Sequence, residues 1–491
     1  MSESRARPLG GRLFHGSALT LASSLLSRGI AVVQSVVVAR ALDARQVGVF
    51  AIVTYVLGLL AAFADLGLPT AAAKLLAEAR GAPGALRTVV TTLAVAMLGV
   101  AGLAGLLLLV LAAPLAALYA EPSLGGLFRL GALLLFLSLL GALGAGMLQG
   151  LQRIRRLAVA GVVKGLVTLA GIVLLVRPLG LAGILVASIV AELLVWPLVA
   201  GAVGRSVGPR ADAAAGARAG AVVRRGVHVA VPVFLAGLLV WGGALFVRSY
   251  LAAALGYADV GYFQLADSLA RVLVIVPTAV AVPLVPLVSE SAAAGAAGTA
   301  DLTRASLRVT LLTVLPLALL LHVAARPLVV LVYGGAYASA GPIAALMVLA
   351  AFFQALGVIA WSTLVGTGRV WAGFWIQSAG WALLAVLTLG LVPALGLAGL
   401  GVAHVAAAAL TLALGLWYLA RHLGVRLDAL GALVPVCALG WLVAGGLGLA
   451  GQAGLVAAAV LAGGVLVLEW RALTPEEAGW VRAAARRVGL R

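Results

Sequence analysis

Residues 41–50 read ALDARQVGVF, and residues 254–263, 213 positions later, read ALGYADVGYF. Five of the ten positions agree. The same offset pairs Pro114 and Leu115 with Pro327 and Leu328, and His15 with His228. An offset of 216 pairs the run LGLAG at 179–183 with the identical run at 395–399, so three residues were gained between the two matches. A chain rich in Ala, Leu, Gly and Val produces chance identities. These matches, however, fall at corresponding connections and share a charge pattern, so the sequence reads as a duplication.

The chain around these motifs has 491 residues, 64% hydrophobic and only 10% charged. A soluble domain carries about a quarter charged residues, so a water-soluble protein is excluded. Counting about 20 apolar residues per crossing, spans are predicted near 13–38, 46–68, 88–112, 124–148, 158–176, 181–203, 227–254, 260–288, 309–330, 342–366, 372–392, 397–420, 429–449 and 455–469. The Pro and Gly residues around Arg177 to Gly180 and Pro393 to Gly396 mark hairpin turns in what could otherwise be single long segments. With the N-terminus inside, the inner segments hold 24 of the 33 Lys and Arg and the outer segments 4, namely Arg40, Arg45, Arg177 and Arg326. Short loops rich in positive charge stay cytoplasmic, so both termini are expected there.

The expected fold is an all-α polytopic membrane protein with about 14 transmembrane helices. Two six-helix bundles form parallel repeats, and a C-terminal helix pair follows. The predicted division is a cytoplasmic N-tail at 1–12, an N-lobe at 13–226 (helices 1–6), a C-lobe at 227–428 (helices 7–12), helices 13 and 14 at 429–469, and an amphipathic cytoplasmic tail at 470–491. An even number of crossings returns each copy to the same side, as in transporters built from parallel repeats about an axis along the membrane normal.

Catalysis finds no support. The predicted outer loops are short, the five histidines are dispersed, and Cys437 is the only cysteine. Neither a metal site nor a cofactor is expected, and the net charge of +18 is scattered between apolar runs, which orients a membrane protein and does not suit nucleic acid. His15, His228, His322 and His404 are read as structural, with His404 inside a span the one alternative proton site.

Charges inside spans carry more information, because each costs at least a few kcal/mol at mid-bilayer. Arg28 lies about fifteen residues, roughly 22 Å, into the first span. Ser17, Thr20, Ser24, Ser27, Arg28, Gln34 and Ser35 recur at helical spacing, which places them on one stripe facing a polar lumen or a neighbouring helix. In the eighth span Gln264, Asp267, Ser268 and Arg271 repeat that logic, with Asp267 and Arg271 able to pair at i, i+4. Pro277, Pro283 and Pro286 predict a bend in the same helix. Arg248 is a second basic lining candidate, placed where its side chain could also snorkel outward, and Lys164 and Glu192 are predicted to pair. Asp65, Glu192 and Asp267 are the candidate ion-coupling carboxylates.

The stretch VARALDARQVGVFA at 38–51, followed by ADLGLPT at 64–70, resembles the opening signature of bacterial polysaccharide-export flippases, within the multidrug/oligosaccharidyl-lipid/polysaccharide superfamily. Arg28, Arg40, Leu42, Gly48, Phe50, Asp65 and Gly67 match the family pattern. The resemblance implies two lobes that alternate between inward and outward openings around a cavity lined by helices one, two, seven and eight. Ser24, Arg28, Gln34, Arg248, Gln264, Asp267 and Arg271 would then face substrate. The implied substrate is an undecaprenyl-diphosphate-linked oligosaccharide moved from the inner to the outer leaflet of the bacterial cytoplasmic membrane, in contact with membrane lipids and alongside polymerase or ligase partners. Few central basic residues, with Arg271 beside Asp267, argue against a highly anionic glycan. A lipid II flippase, a cation-coupled small-molecule antiporter and a membrane glycan ligase or polymerase are the alternatives.

Overall fold

The computed structural model describes residues 26, 27, 29–79, 83–205, 215–294 and 297–425, with the side chains of 83–85, 215–233, 236, 293, 294 and 297 left aside. Ser24, Arg28, His15, Cys437, the predicted thirteenth and fourteenth spans and the tail at 470–491 lie outside the described residues, as does the side chain of His228.

All regular structure in the described residues is helical. In chain order the elements are α1 (Gly29–Ala41), α2 (Ala44–Asp65), α3 (Leu68–Glu78), α4 (Pro83–Leu118), α5 (Ser123–Gly150), α6 (Ile154–Leu179), α7 (Leu181–Gly204), α8 (Ala215–Ala254), α9 (Tyr257–Ala270), α10 (Ile275–Ala294), α11 (Ala297–Val323), α12 (Ala325–Tyr333), α13 (Gly341–Gly366) and α14 (Val370–Leu423). Ten of the described helical segments are long and apolar enough to cross a membrane. Helices are the expected answer, because hydrocarbon satisfies no backbone group and a helix bonds its own.

The chain divides into two compact units, Met1–Gly261 and Tyr262–Arg491. In the first, α5 lies between α4, α7 and α3, and a continuous core runs from Val49, Ile52 and Val53 through Leu76, Leu93 and Phe128 to Val203. In the second, α13 is the central helix and packs against α10, α11, α12 and α14. Leu103, Leu106 and Val110 on α4, and Trp371 and Trp375 on α14, present apolar surface outward.

Local chemistry explains the boundaries. Asp43 caps α2: its carboxylate accepts from the Gln46 amide at 2.7 Å while its own amide donates to the Gln46 side chain at 3.3 Å. The expected turn at 177–180 forms at Gly180 (φ 56, ψ −134), a conformation open in practice only to glycine. Gly396, its counterpart at the 216 offset, has φ 57 and ψ −137 and separates the two spans that run together in α14. The likeness continues one turn on. A Cβ on Gly183 would lie 2.2 Å from the Leu175 carbonyl oxygen, and one on Gly399 2.4 Å from that of Leu391, the equivalent residue. The two LGLAG runs therefore build the same tight helical hairpin once in each unit.

Two boundaries differ from expectation. The predicted ninth span at 309–330 begins earlier, as α11 from Ala297, and stops at Val323. Pro327 has no N–H to donate to the Val323 carbonyl, so the chain restarts as the short α12. The predicted eighth span is interrupted at Arg271–Val274 by a single 3₁₀ turn, because Pro277 cannot donate to the Leu273 carbonyl. The proline-dependent break is therefore real and lies just before Pro277.

The second span also breaks. Leu66 (φ 45) and Gly67 (φ 68) are both left-handed, and Pro69 opens α3 behind them. α3 then lies so close to α5 that a Cβ on Gly146 would stand 2.2 Å from the Pro69 carbonyl oxygen. Gly146→Ala is expected to destabilise the protein by about 1–3 kcal/mol, read as a lower Tm in detergent. Gly99→Ala, whose methyl meets open space, does not lower it.

Candidate functional site

The polar side chains inside the apolar helices sort into small, separately built groups. In the first unit, α8 holds Arg248, whose side chain is one of the largest fully buried, at 2% exposure. Its Nη1 donates to the Ala244 carbonyl at 3.2 Å and its guanidinium stands 3.6 Å from the centre of the Tyr55 ring. Tyr55 in turn contacts Trp241, 5.5 Å between ring centres. Gly58 makes room for that indole, since a Cβ there would lie 2.3 Å from it. Arg248 is thus buried against an aromatic face and does not snorkel, because a π-face near a desolvated cation offsets part of its burial cost. Tyr55→Leu should remove about 1–2 kcal/mol of that stabilisation and lower Tm, whereas Tyr55→Phe keeps the face and most of the effect.

Lys164 of α6 and Glu192 of α7 form the predicted ion pair. Glu192 is buried, Lys164 is half exposed, and Gly141 of α5 leaves the space the carboxylate occupies, a Cβ there falling 2.9 Å from Glu192 Oε2. Beside Lys164, the Gly165 carbonyl accepts from Gln34 Nε2 at 2.9 Å. Gln34 therefore ties α1 to α6.

Asp65 sits at the break between α2 and α3. It caps nothing, the N-cap of α3 being Gly67, and its Oδ1 is buried without a hydrogen-bond partner among the described residues.

A third group gathers where the charge count places the outer side. Arg45 pairs with Glu121, which also accepts from Ser123 Oγ at 2.7 Å. Tyr257 donates its hydroxyl to the Tyr119 carbonyl at 2.7 Å, and the Tyr119 hydroxyl is 2.6 Å from Ser249 Oγ. Burial pushes the Tyr119 phenol above its ordinary pKa, which keeps it neutral. Sequence reasoning missed this group. Its signal was available: Glu121 is an acid in a connection that the charge count assigns to the outer side, where few basic residues are expected.

In the second unit the structure makes the predicted Asp267 to Arg271 pair. Both Nε and Nη2 of Arg271 donate to Asp267 Oδ2, at 3.0 and 2.9 Å, with Asp267 buried and Arg271 largely exposed. Half-buried Gln264 lies one turn earlier and its carbonyl accepts from Ser268 Oγ at 2.8 Å. His404 Nδ1 is 3.0 Å from the Leu400 carbonyl one turn earlier, with its ring against Phe263, and His322 Nδ1 is 3.0 Å from the Ala345 carbonyl on α13. The candidate residues are therefore distributed along helices in both units.

The family profile described as polysaccharide biosynthesis protein matches residues 13–292, which include both copies of the repeated motif. No curated protein sequence matches the chain. Among solved structures, the lipid II flippase MurJ in an inward closed conformation is similar with a TM-score of 0.70 at 10% identity, covering 92% of this chain and 98% of that one. An inward-facing multidrug resistance MATE transporter of the MOP superfamily gives 0.61 at 15% identity, over 82% of this chain and 97% of that one. The Vibrio cholerae MATE transporter VcmN gives 0.60 at 17% identity, over 85% and 98%. Sharing the fold of these transporters and matching the family profile over more than half its length, the chain belongs to the polysaccharide biosynthesis protein family.

Proposed function

We propose that this protein is a flippase that carries an undecaprenyl-diphosphate-linked oligosaccharide from the inner to the outer leaflet of the bacterial cytoplasmic membrane by alternating access. Both termini would be cytoplasmic, and the polysaccharide polymerase or ligase would act on the delivered product. The observation that carries the reading is the family match across 13–292 on a two-unit transporter fold. A protein that moves a lipid-linked sugar needs no catalytic centre. It needs polar groups along a path for the headgroup while the prenyl tail stays in lipid.

Arg28 is assigned the diphosphate contact, because a guanidinium offers paired donors to phosphate oxygens. Ser24 and Gln34 on the same span, and Gln264, Asp267 and Arg271 on the eighth, would line the sugar path. Arg248 is held by Tyr55 in the described state, so its contribution requires that contact to loosen. Asp65, Glu192 and Asp267 are the carboxylates assigned to coupling. Asp65, with an unpartnered oxygen at a helix break, is the one with a coordination site to spare among the described residues. No observation names the ion.

The fold likeness to MurJ favours lipid II as the second substrate to test. Purified protein in liposomes loaded with a short prenyl-diphosphate oligosaccharide should render the lipid accessible to a glycosidase on the opposite face, and liposomes with lipid II should not respond. A response to lipid II alone would replace the substrate, and a response to neither would return the small-molecule antiporter to consideration.

A further inference from the structure

The duplicated segment is where the sequence repeats itself most plainly, and the reading above assigns it no role. In the structure its two copies meet. A Cβ added to Gly48 would stand 1.8 Å from the Tyr257 carbonyl oxygen, and one added to Gly261 would stand 1.9 Å from the Ala44 carbonyl oxygen. At the 213 offset Gly48 corresponds to Gly261 and Ala44 to Tyr257, so each glycine accepts the carbonyl that is equivalent to the one accepting it. The contact is reciprocal, as between elements related by an approximate two-fold axis. Neither side chain nor side-chain motion can relieve a methyl there, because the opposing atoms are backbone.

Side chains fasten the same crossing. Asp43 caps α2 one residue before Ala44, and Gly256 (φ 102), its equivalent, turns the chain into α9. Arg45 pairs with Glu121, its guanidinium 5.9 Å from the centre of the Tyr257 ring, and Tyr257 donates to the Tyr119 carbonyl. The first turns of α2 and α9 are thereby bound to each other and to the connection between α4 and α5.

We propose that the two copies of the repeated segment form a clamp that shuts the outer side of the transport path, with Gly48 and Gly261 as its closing surfaces and the Arg45–Glu121 and Tyr257–Tyr119 contacts as its latch. The proposal rests on alternating access: a path open to the inside needs its outer end closed, and backbone-to-backbone contact without side chains is a closure that separates without unthreading interlocked groups. Duplication of the motif follows, since a reciprocal contact needs glycine in both copies.

The test uses cells with Cys437→Ala as background and Val47→Cys or Val260→Cys as reporters, both positions being buried beside a closing glycine. Labelling is with a membrane-impermeant maleimide added from outside. Gly261→Ala should raise the labelling rate at position 47, and Gly48→Ala that at position 260, by roughly tenfold or more, as when about 1.4 kcal/mol of closure is lost. Combining both substitutions should add little to either alone, because one wedge already opens the clamp. Glu121→Gln and Tyr257→Phe, which alter no backbone, should give smaller rises in the same direction. Gly99→Ala should give none. Unchanged labelling in glycine variants that reach the membrane at normal levels overturns the clamp. If those variants fail to accumulate, unchanged labelling in Glu121→Gln and Tyr257→Phe does so. The labelling uses no substrate, so opening without movement of any lipid-linked glycan would leave the clamp standing and contradict the substrate assignment instead.

Discussion

Arg28→Ala should abolish polysaccharide export while the protein still inserts and accumulates normally. The expectation follows from where the sequence puts the residue. Arg28 lies roughly 22 Å into the first span, too deep for its charge to be held at the inner surface, on a stripe with Ser24, Ser27 and Gln34. A cation kept at that depth against a cost of a few kcal/mol needs a compensating anion, and a diphosphate provides one. Hydrogen bonds to charged groups contribute about 1.5–3 kcal/mol each, so loss of even one should weaken headgroup binding by about tenfold or more. Arg28→Lys keeps the charge without the planar fork and should retain part of the activity. Surface polysaccharide per cell, normalised to protein in the membrane, is the readout. Wild-type export by Arg28→Ala would remove the assignment.

Glu192→Ala should be the most destabilising single change among the described polar residues. It leaves the Lys164 ammonium without its carboxylate inside a largely apolar helix. Breaking a buried pair from one side costs about 3–5 kcal/mol. Because Lys164 is half exposed, the lower end of that range is expected, appearing as a clear fall in Tm in detergent and in membrane abundance. Glu192→Leu together with Lys164→Met, which removes both charges at similar volume, should recover most of the loss. Glu192→Gln separates structure from coupling. It keeps the size and a hydrogen bond to Lys164 but not the countercharge, so it should lose less stability than Glu192→Ala, and in the protein that accumulates, transport that loses its dependence on an imposed proton or sodium gradient would assign Glu192 to coupling. Transport that keeps this dependence would leave Asp65 and Asp267 as the assigned carboxylates.

Much of the fold was legible in the sequence because a bilayer imposes a coarse grammar. Spans of apolar residues must be helices, and Gly180 and Gly396 at the tight connections become turns whose backbone angles agree to within a few degrees. Pairs set by helical spacing or by antiparallel neighbours, Asp267 with Arg271 and Lys164 with Glu192, were legible for the same reason. What failed was local. The stop at Val323, and the exact position of the bend expected from Pro277, which begins at Arg271–Val274, depend on which carbonyl a proline leaves without a donor, a detail that a hydropathy window averages away. The site was less legible than the fold. Arg248, a lining candidate whose side chain could also have snorkelled outward, lies buried against Tyr55, a contact with a distant helix that no periodic pattern in the sequence signals. The cluster of Arg45, Glu121, Tyr119 and Tyr257 joins positions more than 70 residues apart and depends on the first turns of α2 and α9 meeting the connection between α4 and α5.

The most direct measurement of the central claim is the amount and leaflet location of lipid-linked oligosaccharide in cells lacking this protein and in the same cells complemented by it. The account predicts accumulation in the inner leaflet, reversed by complementation, and mass spectrometry of the trapped lipid would give its sugar. Normal surface polysaccharide with no trapped lipid in the deleted cells would contradict it.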